Sequence, residues 1–181
     1  MARIYLSPST QEFNPFVTGN SEEYYANLIA DAMIPYLRAS GIEFDRNNPG
    51  GTVSNSIADS NAGTYDFHLA IHSNAAPERL AGTLRGPDVY YYEGITTGRR
   101  AADIIANNLE LIYPIPNLVT VVPTTTLAEL RRTNAPAVLV EVAYHDNYED
   151  ATWTINNIET IGRNLAASVA DILGVPFVEP S

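Results

Sequence analysis

Few side chains in this sequence can bind a transition metal, because it contains three histidines and no cysteine. The histidines are His68, His72 and His145. Protein zinc sites use cysteine, histidine and carboxylate ligands, so a zinc site here would have to combine imidazole with carboxylate groups. The lack of cysteine also excludes a thiol enzyme and a fold held together by disulfides.

One glutamate lies inside the most apolar segment of the chain, residues 137–142. An ionised carboxylate is rarely buried without a partner, so Glu141 needs an explanation. One explanation is a salt bridge to Arg131 or Arg132. The other is a general base, or a carboxylate associated with a metal, at the end of a strand.

His72 ends a second apolar segment, residues 66–72, and is followed closely by Asn74. His68 lies four residues earlier and therefore on the same face of a strand. A regular strand rises by ~3.3 Å per residue, which separates these two positions by roughly 13 Å. We therefore expect only His72 to reach a metal at the strand end, and His68 to be structural or to support the site.

Two acidic residues, Glu22 and Glu23, follow the sequence Gly19-Asn20-Ser21, which is typical of a helix start. Negative charge is favourable in the first turn of a helix. If Asn20 is the N-cap, Glu23 occupies the third helical position and can complete a capping box. Glu22 would then be free for another role.

The remaining apolar segments alternate between strand and helix patterns. This alternation predicts a single α/β domain over residues 1–175, with a mostly parallel, mixed, twisted sheet of about six strands and helices on both faces. Residues 176–181 read as a tail or the start of a linker. Functional residues are expected at the carboxyl ends of the strands. The strands are predicted at 4–6, 42–44, 66–72, 89–92, 118–122 (closed by Pro123) and 137–142, and the helices at about 21–40, 56–62, 96–111, 150–156 and 158–173 (ended by Gly174).

Composition limits the partners of this domain. The chain has 181 residues, 45% of them hydrophobic, and a formal net charge of -11, which disfavours nucleic acid and anionic membranes. No apolar run approaches the roughly 20 residues of a membrane span, and the first residues lack the apolar stretch of a signal peptide. We expect the protein to stay cytoplasmic until it is released, or to be part of a longer secreted protein.

Three segments together resemble a known family: residues 19–22 at a helix start, residues 66–75, and residues 136–147. They are similar to the zinc-dependent N-acetylmuramoyl-L-alanine amidases of the amidase type 3 family, found in bacterial autolysins and phage endolysins. The similarity runs from Ile4 to about Leu173. The Leu-Ser-Pro-Ser sequence after the start resembles a divergent branch of the family.

The resemblance implies a peptidoglycan hydrolase. Such an enzyme uses zinc-activated water to cleave the amide bond between N-acetylmuramic acid and the L-Ala of the stem peptide. The family holds Zn²⁺ with two histidines and one glutamate, and uses a separate catalytic glutamate. Matching positions make Glu22 and His72 zinc ligands, with Glu23 as the alternative to Glu22, and make Glu141 the catalytic residue.

The family's first histidine has no counterpart here, because no histidine precedes His68. We expect His145, which follows Glu141 closely, to supply the third ligand, since imidazole suits zinc better than a neutral amide does. Gln11, Glu12 and His68 are the alternatives.

Three further residues are expected to contact substrate or to support the metal ligands: Asn74, Arg131 and Gln11. Two other functions stay open at this point. The missing histidine would suit a catalytically inactive relative that binds peptidoglycan, and the same metal chemistry would suit a zinc peptidase acting within the stem peptide. A cell-wall-binding domain outside this chain, following its C-terminal end, is a further expected partner.

Overall fold

A computed structural model describes residues 1–181 and arranges them around one six-stranded sheet. The order across the sheet is β2-β1-β3-β6-β4-β5, and all neighbouring strands are parallel except β4 and β6. The predicted α/β fold with a mixed sheet of six strands is confirmed. The strands are β1 (Arg3–Pro8), β2 (Glu43–Arg46), β3 (Phe67–Asn74), β4 (Asp88–Tyr92), β5 (Thr120–Thr124) and β6 (Ala137–Tyr144).

Six α-helices connect or cover these strands, and the last one ends at Gly174, as predicted. Gly174 has a φ of 67°, the left-handed conformation that commonly ends a helix. No helix combines the length and the apolar character needed to cross a membrane. The helices are α1 (Glu22–Ala39), α2 (Val53–Ala62), α3 (Thr96–Glu110), α4 (Ala128–Arg132), α5 (Tyr148–Asn156) and α6 (Ile158–Leu173), with short 3-10 turns at Glu78–Leu80 and Pro116–Leu118.

The two faces of the sheet are covered differently. One face, which we call the apolar face, packs against α1, α3 and α6 through a cluster of 30 buried residues. Side chains alternate along a strand, so Leu69 and Ile71 of β3 point to this face. The other face, which we call the polar face, has an apolar cluster of only four buried residues and carries His68 and His72.

Strand register places three polar side chains in a row across the polar face. His72 of β3 is paired with Glu141 of the parallel strand β6, and Glu141 is paired with Asp88 of the antiparallel strand β4. The register between β3 and β6 then shifts by one residue before Asn74 pairs with Tyr144. Such a bulge changes the direction in which the following side chains point.

The start of α1 differs from the prediction. Ser21 is the N-cap, and its Oγ accepts a hydrogen bond from the backbone N–H of Tyr24 at 3.2 Å. Asn20 has a φ of 61° and takes no part in a capping box, so that assignment was wrong. Glu23 instead accepts a hydrogen bond from Asn27, one turn further along the helix.

The end of the fifth strand also differs. Pro123 lies within β5 instead of closing it. A strand with neighbours on both sides would lose a backbone hydrogen bond there, but β5 is an edge strand that pairs only with β4. A proline is therefore tolerated at this position.

Candidate active site

Glu22 and His72 lie in contact at the carboxyl edge of the sheet. Glu22 is the first residue of α1, which begins beside the end of β3, and its side chain is buried. The Nδ1 of His72 lies 2.9 Å from Glu22 Oε1, within hydrogen-bond distance. Asn14 donates to the other carboxylate oxygen, Oε2, at 2.8 Å. Two residues expected to bind metal are thus brought together by elements 50 residues apart in sequence.

His72 is held between two carboxylates. Its Nδ1 faces Glu22, and its Nε2 lies 3.5 Å from Oε2 of Glu129. Burial lowers the pKa of His72, but hydrogen bonds to Glu129 and Glu22 outweigh burial and raise this pKa to about 10. Burial raises the pKa of Glu22, but the contacts with His72 and Asn14 bring it below its ordinary value. The contact between His72 and Glu22 therefore favours a positively charged His72 beside an ionised Glu22.

Gln11 is the third polar group at this point. Its Nε2 lies 3.4 Å from the Nδ1 of His72, and its Oε1 accepts a hydrogen bond from Asn14 at 3.0 Å. The loop that follows β1 thus brings Gln11 to the same atom that faces Glu22. No group of three histidine, cysteine, aspartate or glutamate side chains is arranged to hold a metal ion.

His145 occupies a different environment. Its Nδ1 lies 2.9 Å from the Oγ of Ser73, and its ring is 5.6 Å from the ring of Phe16, measured between centroids. No hydrogen bond or ion pair joins His145 to Glu22 or His72. The structure therefore groups Gln11, and not His145, with the two expected ligands. Glu12, another alternative, is exposed.

Glu141 lies beside His72 on the neighbouring strand. Its side chain is half-buried, and its Oε2 is fully buried without a hydrogen-bond partner. Burial raises the pKa of Glu141 to about 7, with a smaller opposing effect from His72 and an added effect from the negative charges of Glu22 and Asp88. A carboxyl group with such a pKa can both accept and donate a proton near neutral pH.

Asp88 was missed by the sequence analysis, since only its pairing with Glu141 gives it significance. Its Oδ2 accepts hydrogen bonds from Asn74 at 3.1 Å and from Tyr144 at 3.0 Å. Asn74, expected to support His72, therefore binds the neighbour of Glu141 instead. Local sequence patterns do not show which residues of two strands are paired, so they could not identify Asp88.

Glu129 was also missed. It lies on the short helix α4, is 3% exposed, and accepts a hydrogen bond from the hydroxyl of Ser7. Its Oε1 also lies 2.9 Å from the Nε2 of His68. The carboxylate of Glu129 thus faces both His68 and His72, although the two residues are four positions apart on the same strand. Burial raises the pKa of Glu129, but contacts with both histidines lower it to about 2.

Arg131 lies away from these residues. It is exposed, and it lines a cavity with Tyr92, Gly98 and Pro136 near the start of β6, whereas Glu141 is near the end of that strand. No ion pair joins Glu141 to Arg131 or Arg132. The salt-bridge explanation for Glu141 therefore does not apply.

Solved structures share this fold. AmiC2, an N-acetylmuramoyl-L-alanine amidase of Nostoc punctiforme, is 16% identical with a TM-score of 0.82, over 96% of this chain and 97% of that one. The catalytic domain of the CD27L endolysin targeting Clostridia difficile is 22% identical with a TM-score of 0.73, over 94% and 98%. Cwp6 from Clostridium difficile is 24% identical with a TM-score of 0.83; the match covers 95% of this chain but 29% of Cwp6.

No curated protein matches the sequence at a significant level. The sequence does match the family described as N-acetylmuramoyl-L-alanine amidase over residues 11–171, nearly the whole chain. The residues that carry the resemblance, Glu22, His72 and Glu141, all lie within that range and on one edge of the sheet. The chain therefore belongs to the N-acetylmuramoyl-L-alanine amidase family of peptidoglycan hydrolases (amidase type 3).

Proposed function

We propose that this amidase holds a zinc ion with Glu22, His72 and Gln11, and uses Glu141 as its catalytic acid and base. One observation carries the proposal. The Nδ1 of His72 lies against Glu22 and Gln11, and the unpartnered carboxylate of Glu141 is next to His72 in strand register. A buried acceptor without a partner is costly, so it favours a catalytic group over a structural one.

The donor set fits zinc. Imidazole nitrogen and carboxylate oxygen are ordinary zinc ligands. The amide of Gln11 carries an oxygen that can act as the third donor if the amide turns, because its Nε2 now lies nearest His72 and its Oε1 accepts from Asn14. Two carboxylates, those of Glu22 and Glu129, lie beside the His72 ring, so its surroundings stabilise positive charge. His145 remains the alternative third ligand, but its contacts with Ser73 and Phe16 disfavour it.

Glu141 performs the proton transfers in this proposal. When bound, zinc supplies a water molecule of lowered pKa and polarises the scissile carbonyl. Glu141 accepts the proton of the attacking water as the new carbon–oxygen bond forms at the lactyl carbonyl carbon. It then donates this proton to the nitrogen of L-Ala as the carbon–nitrogen bond breaks. Its pKa of about 7 suits both steps.

Digestion of purified cell walls tests the reaction. The amidase should release new amino termini of L-Ala without new reducing sugar ends, and Glu141→Gln should keep bound zinc but release no product. Peptide fragments would instead identify a peptidase acting within the stem peptide. Binding to the walls with no product from the wild type would identify an inactive binding relative.

A matched pair of variants tests the third ligand. Elemental analysis of purified protein should find less zinc in Gln11→Ala than in the wild type, because the variant loses one donor. His145→Ala removes a ring that contacts Ser73 and Phe16, so its zinc content should be unchanged. The reverse pattern would assign the third position to His145.

The cell wall is the place of action that follows from the substrate. We propose that affinity for the wall comes from a separate binding domain, because the net charge of -11 gives no general attraction to an anionic polymer. The match with Cwp6, which covers 29% of that chain, supports an arrangement in which a domain of this kind accompanies other segments. Release from the cytoplasm and secretion as part of a longer protein remain the two proposed routes.

A further inference from the structure

The carboxylate of Glu129 is buried where both of its oxygens face hydrogen-bond donors. Oε1 accepts from Ser7 and lies 2.9 Å from the Nε2 of His68, while Oε2 lies 3.5 Å from the Nε2 of His72. The side chain of Glu129 is 3% exposed. Burying a carboxylate is costly unless hydrogen-bond or ionic partners compensate, so the contacts with Ser7, His68 and His72 are what allow Glu129 to be buried on the polar face.

The two ring nitrogens of His72 have different surroundings. Nδ1 faces Glu22 and Gln11, and Nε2 faces Glu129. A neutral imidazole has one N–H and one free lone pair, and an acceptor beside one nitrogen keeps the proton there. In the metal-free protein both nitrogens of His72 face a carboxylate, Nδ1 at 2.9 Å and Nε2 at 3.5 Å. A cation bound between Nδ1 and Glu22 would displace a proton from Nδ1, and the acceptor at Nε2 would then hold the remaining proton there.

We propose that Glu129 is a positioning residue that fixes the orientation and the tautomer of His72, a role that rests on the proposed zinc site. Carboxylates that accept from the second nitrogen of a metal-bound histidine serve this purpose in other proteins. Glu129 acts through His72 and touches neither Glu22 nor Gln11. Ser7 and His68 hold Glu129 in turn, and Ser60 lies 2.9 Å from the Nδ1 of His68.

Zinc affinity tests this role directly. In competition with a chelator, Glu129→Leu should bind Zn²⁺ about 10- to 100-fold more weakly than the wild type, because Nε2 loses its acceptor. Glu129→Gln keeps a carbonyl oxygen for the Nε2–H and should restore part of the affinity. If Glu129→Leu does not fold, Glu129→Gln alone carries the test, with an expected loss of about tenfold.

Ser60→Ala is the matched control. It removes a buried hydrogen bond to His68, one residue further from the metal, and leaves the partner of His72 in place. Its zinc affinity should equal that of the wild type. A loss as large as that of the Glu129 variants would show that any damage to this buried cluster weakens zinc binding, and would overturn the positioning role.

A spectroscopic readout separates this inference from the zinc site itself. With nitrogen-15 labelling of the three histidines, the metal-free wild type should show an Nε2–H of His72 that exchanges slowly with solvent. Glu129→Leu should lose this signal. If the wild type binds no zinc, the proposed metal site fails, but the signal still tests Glu129. An unchanged His72 signal in Glu129→Leu would overturn the inference.

Discussion

The two faces of the central sheet are built from neighbouring residues of the same strands, yet they have opposite properties. The apolar face of β3 carries Leu69 and Ile71, which are fully buried in the cluster of 30 residues. The polar face of β3 carries His68 and His72, which contact three carboxylate oxygens. One eight-residue strand therefore contributes both to the main core and to the candidate active site.

The difference between the two faces explains how the domain can stay folded with several carboxylates buried on its polar face. Burying apolar area stabilises the fold by roughly 25 cal/mol per Å². The buried charges of the polar face give little net stability, because desolvation opposes their attraction. We infer that the apolar face supplies the stability that keeps Glu22, Glu129 and Glu141 close together.

The largest expected effect comes from the polar face. Glu141→Gln should lower the turnover of peptidoglycan by about 10²- to 10⁴-fold, the usual contribution of a general acid or base. The midpoint of thermal unfolding should not fall, because the amide fits the same space without a buried charge. A turnover close to that of the wild type would contradict the assigned role.

A substitution on the apolar face should lower stability and leave turnover unchanged, the opposite of the result expected for Glu141→Gln. Leu69→Ala should lower the free energy of unfolding by about 2 to 5 kcal/mol, because it leaves a cavity in a fully packed region. Turnover per folded molecule should be preserved. Leu111→Ala, at a side chain that is 80% exposed, is the control and should change stability by less than about 0.5 kcal/mol.

The destabilisation caused by the buried carboxyl group of Glu141 can be measured from the pH dependence of stability. In the metal-free protein, the pKa of Glu141 is about 7 in the folded state against an ordinary 4.5. Folding therefore disfavours the ionised form, and this destabilisation grows as pH rises from 4.5 to 7. Removing the charge with Glu141→Gln should abolish it.

Urea unfolding of both metal-free proteins provides the measurement. Relative to the wild type, Glu141→Gln should be little changed at about pH 4 and more stable by up to about 3 kcal/mol at about pH 8. A difference that does not depend on pH would mean that Glu141 titrates normally in the folded protein.

The smallest expected effect is at the far end of β6. Arg131 is exposed and lies near the start of this strand, away from Glu141. Arg131→Ala should change stability by less than about 0.5 kcal/mol. Its turnover of purified cell walls should match the wild type, and a large loss would show that substrate extends to this end of the sheet.

Sequence patterns predicted the apolar face better than the polar face. The apolar segments that became β3 and β6 are local signals of burial. Together with the alternation of strand and helix patterns along the chain, they located the sheet and its main helices. The same patterns, together with the family resemblance, singled out Glu22, His72 and Glu141. Each of these lies at the end or start of a regular element or inside an apolar strand.

The residues that sequence patterns missed depend on contacts between distant segments. Glu129 lies on a helix of five residues, too short to show a periodic pattern, and meets His68 from 61 residues away. Asp88 is paired with Glu141 through the register of β4 against β6, two strands separated by residues 93–136 of the sequence. The choice between Gln11 and His145 depends on the path of two loops, which no residue spacing determines.

The edges of the sheet carry a further consequence. Pro123 in β5 offers no backbone N–H to an incoming strand, and β2 at the opposite edge has only four residues, three of them charged. Both features hinder the addition of a foreign strand. The domain is therefore protected against strand-to-strand aggregation at high local concentration, as would arise where many copies gather on one polymer surface.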